Sequence, residues 1–162
     1  SVLSNIAETY GKKVMIAETS YAFTAEDTDF YGNTIGKGSR FVKDYPFTIQ
    51  GQANLVRNVI DTAVNKIKNC IGVFYWEGTW ISVGGDSYES NLAKWEKHGS
   101  GWASSNAAEY DPDDAGKWYG GCAVDNQAFF DKNGKALESL KVFGLVKKGN
   151  TVNNKADAIE ER

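Results

Sequence analysis

The near-continuous apolar run from Cys70 to Trp76 constrains the fold of this chain more than any other feature. A strand that is apolar at consecutive positions is typical of a parallel strand covered on both faces. A second apolar stretch, Lys13 to Ala17, also indicates a short buried strand. Between them, apolar residues recur three and four positions apart, which predicts a helix that Thr48 caps and that extends to about Asn69. Strand, helix and strand in this order predict a βαβ unit with parallel strands, and therefore an α/β fold.

The rest of the chain shows weaker patterns. Helical spacing predicts a short helix in residues 1–11 and another in residues 136–147. Residues 78–127 show no strong periodicity, and a connection of that length is typical of a functional loop system. We expect a single domain over residues 1–147, followed by a polar tail over residues 148–162.

The charge balance and hydropathy exclude several classes of protein. Eighteen Lys and Arg against 21 Asp and Glu leave a net charge of −3, which argues against a nucleic-acid-binding protein. No run of 18 apolar residues is present, so we expect no membrane-spanning helix. The first residues have neither a basic nor an apolar segment of the kind that a signal peptide carries. Cys70 and Cys122 are too few for a disulfide scaffold, and whether they pair with each other stays open.

The tryptophans allow two interpretations. Flat aromatic rings stack on sugars in carbohydrate-binding clefts, but an aromatic composition of 13% is more often explained by a core. Trp80 and Trp95 therefore line sugar subsites or pack the long loop against itself. Trp102 and Trp118 stand beside Gly and Ala, and for these two we favour packing.

Carboxylates follow both predicted strands. Glu18 comes directly after the first strand and Glu77 directly after the second. The carboxyl ends of parallel strands face the active site in α/β folds, so both residues are catalytic candidates. A carboxylate with a partner about 5–5.5 Å away can attack the anomeric carbon of a sugar. By position alone, a solvent-exposed residue at the end of a strand is equally well supported.

Six stretches of the chain, taken in order, resemble glycoside hydrolase family 53, which contains the arabinogalactan endo-β-1,4-galactanases. The similarity extends from about residue 8 to residue 146. The stretches are Val14–Tyr21, Tyr45–Ala53, Gly72–Glu77, Gly101–Ser104, Glu109–Pro112 and Val124–Ala128.

The resemblance implies a (β/α)8 barrel and retaining hydrolysis of β-1,4-galactan, a pectin component. It matches Glu18 to the catalytic nucleophile at the end of the seventh strand. Trp76 ends the eighth strand, where its ring would form the floor of the subsite for the cleaved sugar. We expect Trp80 to contact the substrate beside it, and Glu77 to orient the substrate or to have a structural role. A polymeric substrate further implies secretion from the cell.

The resemblance covers only part of the family's fold. A (β/α)8 barrel needs about 250 residues, and this chain matches its last two strands with their helices and long loops. No segment matches the fourth strand, which carries the family's acid/base glutamate. We therefore expect a C-terminal portion of a barrel, completed by a missing segment or another chain, and no hydrolysis by this portion alone. The alternatives are a non-catalytic galactan-binding module and a structural fragment that folds only as an oligomer.

An Asp-rich loop suggests a calcium site. Asp27, Asp29 and Asn33 carry side-chain oxygens, but Gly38 stands at the twelfth place of an EF-hand pattern, where a bidentate Glu is required. The EF-hand is therefore rejected. The family resemblance instead implies calcium bound by Asp27, Asp29, Asn33 and Asp125.

Two departures weaken the match to the family's calcium site. Tyr31 replaces a frequent His, and Cys122 replaces a Ser. Calcium prefers hard oxygen ligands, so main-chain carbonyls would have to serve at these places. A solvated acidic loop without a metal is the alternative.

Overall fold

A computed structural model describes residues 1–98, 104–117 and 119–148. Its helices and strands are α1 (Val2–Tyr10), β1 (Val14–Thr19), α2 (Ile49–Asn65), β2 (Cys70–Tyr75), α3 (Tyr88–His98) and α4 (Val142–Lys147). Short 3₁₀ helices lie at Ser105–Ala107, Asp125–Gln127 and Glu138–Lys141. Trp102, Trp118 and the predicted tail beyond Lys148 lie outside the described residues. In the part of the chain that is described, no helix is long and apolar enough to cross a membrane.

The two strands pair in parallel, as the βαβ pattern predicts. Val14 is opposite Cys70 and Thr19 is opposite Tyr75, with irregularities of register between these positions. Glu18 is therefore part of β1 rather than the residue after it. The parallel register brings the carboxyl ends of both strands to the same edge of the sheet.

Helix α2 connects the strands and begins as the sequence predicts. The Thr48 side chain accepts a hydrogen bond from the Gly51 amide at 2.9 Å, which caps the helix. The predicted end at Asn69 is wrong, because α2 ends at Asn65. Asn69 has a left-handed backbone, with φ of 55°, and its carbonyl accepts a hydrogen bond from the Val14 amide at 3.1 Å. The residues after Asn65 are needed to turn the chain into β2.

The core forms where the C-terminal segment packs on α2. Ala53, Val56, Phe129 and Val142 are buried together, and the Tyr75 ring lies 4.3 Å from the Phe129 ring. The predicted helix over residues 136–147 is in fact a 3₁₀ helix followed by α4.

The other faces of the strands are not covered. Ile71 and Phe74 are 57% and 62% exposed, and Met15 is 43% exposed. The expectations of a β2 covered on both faces and of a buried first strand are therefore wrong for this chain. The reason is that the described residues supply only a two-stranded sheet and one covering helix.

The long loop after β2 contains a helix that its sequence did not reveal. Helix α3 has a single fully buried residue, the polar Asn91, so it lacks the apolar periodicity that identifies most helices. Its start is marked by Ser87, whose hydroxyl accepts a hydrogen bond from the Ser90 amide at 3.2 Å. This serine cap is the sequence signal that could have located the start of α3.

Candidate active site

The ends of β1 and β2 are joined where the predicted catalytic residues lie. The Trp76 amide donates a hydrogen bond to the Thr19 carbonyl at 2.8 Å, which extends the pairing by one residue. Glu18 and Glu77 flank this contact along the sequence. The exposed side chain of Glu18 is open to a ligand.

The two carboxylates lie at the adjacent ends of the paired strands and interact electrostatically. Burial raises the pKa of Glu77, and the negative charge of Glu18 raises that pKa further. Glu77 also has a left-handed backbone, with φ of 55°, which is uncommon for a residue with a side chain. The structure thus brings together the two carboxylates that the sequence placed at neighbouring strand ends.

Two tryptophan rings lie beside these carboxylates. The centroids of Trp76 and Trp80 are 6.1 Å apart, with their planes inclined by 45°. The Trp80 amide donates to the Glu77 carbonyl at 3.1 Å, which closes a turn between these two residues. Trp80 is 45% exposed, so its ring is accessible to a ligand. Trp95 instead donates its indole N–H to the Gly120 carbonyl at 3.1 Å, as expected of a packing residue.

Cys122 lies next to this group, which sequence reasoning did not anticipate. Its thiol is 3.5 Å from the Trp80 carbonyl. Burial raises the pKa of the Cys122 thiol to about 11, with smaller contributions from the charges of Asp125, Asp29 and Glu77. Cys70 and Cys122 are both free thiols, so they do not pair in this structure.

The acidic loop is tied to the segment around Cys122 through Asp29. One Asp29 oxygen accepts the Tyr31 amide at 2.8 Å and the other accepts the Cys122 amide at 2.9 Å. A Cβ atom on Gly121 would lie 2.5 Å from Asp29 Oδ1, so the main chain approaches this carboxylate very closely. Asp27 accepts the Asn33 amide at 2.9 Å.

Asp125 is the buried member of the predicted calcium ligands. Burial raises its pKa, and a hydrogen bond from the Thr28 hydroxyl opposes that change. The Asn33 amide lies close enough to lower this pKa, although not in hydrogen-bonding geometry. Asp125 Oδ1, Asn33 Oδ1 and Asn126 Oδ1 are buried without hydrogen-bond partners.

Unpartnered buried oxygens suit a hard cation such as calcium. Among the residues that the structure describes, however, no three His, Cys, Asp or Glu side chains are grouped closely enough to hold a metal. A calcium ion here would need amide or main-chain oxygens in addition to carboxylates. The residues present fit such a mixed set around Asp125 and Asn33.

Comparison with known proteins identifies the family. The family model described as glycosyl hydrolase family 53 matches residues 1–143. This chain belongs to glycosyl hydrolase family 53. The resemblance seen in the sequence is therefore confirmed.

Several relatives of this family 53 chain are known. It is 58% identical over 150 residues to the endo-beta-1,4-galactanase of Bacillus subtilis (strain 168), covering 92% of this chain and 35% of that protein. It is 26% identical over 143 residues to an arabinogalactan endo-beta-1,4-galactanase of Thermothelomyces thermophilus, covering 88% of this chain and 31% of that protein.

A solved structure, the Ignisphaera aggregans GH53 catalytic domain, superimposes on this family 53 chain with a TM-score of 0.62 and 34% identity. The match covers 90% of this chain and 33% of that structure. The chain thus spans about a third of the length of the relatives it matches. Its fold corresponds to part of a family 53 catalytic domain, and the assignment of β1 and β2 to the last two strands stays a prediction.

Proposed function

We propose that this chain is the C-terminal portion of a retaining endo-β-1,4-galactanase barrel and supplies the nucleophile half of its active site. Strands β1 and β2 are then the seventh and eighth strands. The observation that carries this proposal is the meeting of Glu18 and Glu77 at adjacent parallel strand ends, beside the Trp76 and Trp80 rings. The galactanase names of the relatives support the substrate class.

Glu18 is the nucleophile in this proposal. Its ionised carboxylate attacks the anomeric carbon and forms a glycosyl ester as the bond to the leaving oxygen breaks. That oxygen takes a proton from an acid that the rest of the barrel supplies. Water, deprotonated by the same group, then hydrolyses the ester and frees Glu18.

The neighbouring residues hold the sugar. The Trp76 ring stacks on the apolar face of the pyranose at the cleavage point, and Trp80 extends this surface. Glu77, set by its left-handed backbone, hydrogen-bonds a sugar hydroxyl. These roles are supported by the exposure of the Glu18 side chain and by the 45% exposure of Trp80 beside Trp76.

The remainder of the barrel is the proposed partner. It would cover Met15, Ile71 and Phe74, the apolar side chains that β1 and β2 leave exposed. Because the proposed substrate is a polymer, we also propose that the protein is secreted and extracellular. Galactan and its oligosaccharides are the proposed ligands.

Complementation tests this function. The 162-residue chain is assayed for reducing-sugar release from β-1,4-galactan, alone and after co-expression with the remainder of the Bacillus subtilis galactanase. We expect no turnover alone and clear turnover in the complex. Glu18→Gln should then lower turnover by about 10³-fold or more, because it removes the nucleophile.

Glu109→Gln, at an exposed glutamate, is the matched control and should leave the rate unchanged. Turnover by the pure chain, or an active Glu18→Gln complex, would overturn the proposal. Galactan binding by a complex without turnover would favour the alternative, a binding module.

We also propose a structural calcium ion held by Asp125 and Asn33 together with Asp27 and Asp29. When bound, it would neutralise the buried charge of Asp125 and connect the acidic loop to the 3₁₀ helix at Asp125–Gln127. Calcium added after EDTA treatment should raise the melting temperature of the chain. Asp125→Asn should remove most of this increase, whereas Asp113→Asn, at an exposed aspartate, should retain it. No response of the unaltered chain to calcium would refute the site.

A further inference from the structure

A buried group of polar side chains, the polar cluster, lies behind the candidate active site. Its members are the side chains of Tyr75, Gln52, Gln127 and Ser139. The Tyr75 hydroxyl accepts a hydrogen bond from the Tyr21 amide at 3.0 Å. The same hydroxyl lies 2.7 Å from the Gln127 carbonyl, to which it donates. One phenol therefore connects two segments that are more than a hundred residues apart in the sequence.

Gln52 contacts the same segments. It is completely buried on α2, and its Nε2 lies 2.9 Å from the Tyr21 carbonyl and 3.1 Å from the Ala128 carbonyl. Its Oε1 accepts a hydrogen bond from the Ser139 hydroxyl at 2.5 Å. Gln52 thus interrupts the apolar face of α2 with a side chain whose donor and acceptor groups are both used.

The segments held by the polar cluster are those that carry the candidate site. Tyr21 comes three residues after Glu18, and the Ser20 hydroxyl between them donates to Gln127 Oε1 at 2.6 Å. Tyr75 directly precedes Trp76. Gln127 ends the 3₁₀ helix that contains Asp125.

We propose that Tyr75 and Gln52 are positioning residues that hold the Glu18 segment, the Trp76–Glu77 segment and the segment 125–128 in one arrangement. They act through these segments, because Gln52 is completely buried and the Tyr75 hydroxyl is engaged by the Tyr21 amide and the Gln127 carbonyl. A phenol suits this place since it donates and accepts at once, and a glutamine adds two donors and an acceptor. A hydrogen-bond network whose groups all have partners is rigid, so the three segments keep one arrangement relative to each other.

Tyr75→Phe tests this inference in the 162-residue chain. It keeps the ring that packs on Phe129 and removes only the hydroxyl. By NMR, hydrogen exchange of the Tyr21 amide should accelerate about 10-fold or more, while exchange of the Val56 amide in α2 stays within about 2-fold. Gln52→Met, which keeps the side-chain length, should act in the same direction.

A second measurement separates positioning from simple stability. The pKa of Glu77, followed by carbon NMR, depends on its distance from Glu18. In Tyr75→Phe, movement of the Glu18 segment should change this pKa in the folded chain. Tyr45→Phe is the matched control, because it removes a half-buried hydroxyl that accepts from Asn58 outside the polar cluster. It should change neither measurement.

The outcomes are decisive in both directions. Faster exchange at Tyr21 together with an altered Glu77 titration supports positioning. Equal acceleration at Tyr21 and Val56 would show a general loss of stability and overturn the proposal, as would unchanged exchange and titration in both variants. The inference rests on the proposed function only in calling Glu18 the nucleophile. If the complex with the remainder of the Bacillus subtilis galactanase shows no turnover, the proposed function fails while the exchange measurements on the 162-residue chain still decide this inference.

Discussion

The two sides of the β1–β2 sheet differ sharply, although the sequence makes both apolar. On the closed side, α2 and the segment 128–146 bury Phe129, Val56 and the ring of Tyr75. On the open side, Ile71 and Phe74 remain largely exposed. The difference shows that consecutive apolar residues indicate a strand that needs to be covered, but do not indicate which segment covers it. The relatives that this chain matches are about three times as long as the chain, and we propose that the rest of such a domain covers the open side.

We expect the largest loss of stability from a substitution in the core of the closed side. Phe129→Ala removes a ring that contacts both Tyr75 and Phe143, and should lower the free energy of unfolding by about 3–5 kcal/mol. Urea denaturation followed by tryptophan fluorescence measures this change. A loss below about 1 kcal/mol would mean that the closed side is not the core of the chain.

Phe74→Ala is the matched substitution on the open side. Since Phe74 is mostly exposed, we expect a change within about 0.5 kcal/mol in the same denaturation experiment. In the proposed complex with the remainder of the barrel, the same substitution should weaken association, because that complex would bury the ring. An equal and large loss from Phe74→Ala and Phe129→Ala in the chain alone would abolish the distinction between the two sides.

The caps of α2 and α1 allow the closed side to be compared with an exposed helix, with smaller expected changes in stability. Thr48→Ala removes the cap of α2, the helix of the closed side, and should cost about 1 kcal/mol of stability. Ser1→Ala removes the equivalent cap of α1, whose Val2 and Ile6 are exposed. There we expect only a few tenths of a kcal/mol, since a helix with exposed apolar side chains opens locally at low cost. Thermal unfolding of both variants checks the order, and the reverse order would contradict it.

The loop after β2 is part of neither side of the sheet, and we expect a substitution there to have the smallest effect on stability. Glu96 accepts hydrogen bonds from the Ser105 hydroxyl, the Ser105 amide and Tyr119, which lower its pKa from the usual 4.5. A lowered carboxyl pKa stabilises the folded loop above the unfolded pKa, and this contribution is lost as the pH falls through the folded pKa. The Ser105 amide resonance should therefore shift only on acidification below about pH 4.5.

Glu96→Gln should remove that pH-dependent shift, and Glu109→Gln should leave it unchanged. A Ser105 resonance that titrates identically in all three proteins would show that Glu96 does not hold the loop. Neither substitution should alter the urea midpoint noticeably, because the contact is at the surface.

Local patterns predicted the elements whose signals are local. Thr48 and the apolar spacing placed α2, and the consecutive apolar residues placed β2 and its parallel pairing with β1. Helix α3 was missed because its buried residue is the polar Asn91. The burial of both strands was overestimated, because exposure depends on which segments pack against the strands and not on the strands' own sequence.

In the candidate site, too, some residues were predicted from local patterns and others were not. Glu18, Trp76 and Glu77 were predicted because they lie at strand ends or match the family, and the structure places them at the adjacent ends of the paired strands, while their roles remain proposals. The calcium ligands Asp27, Asp29, Asn33 and Asp125 remain a proposal. Cys122 was not expected beside Trp80, since its approach depends on the path of a long loop.

By itself, the sequence determined the βαβ unit, the family and the carboxylates at the strand ends, because periodicity and motifs are properties of neighbouring residues. Only the tertiary structure decided which faces stay open, and that Tyr21, Gln52, Tyr75 and Gln127 meet in one buried cluster. The physical reason is that burial and hydrogen bonding between distant residues depend on how segments pack, and no local pattern encodes that packing.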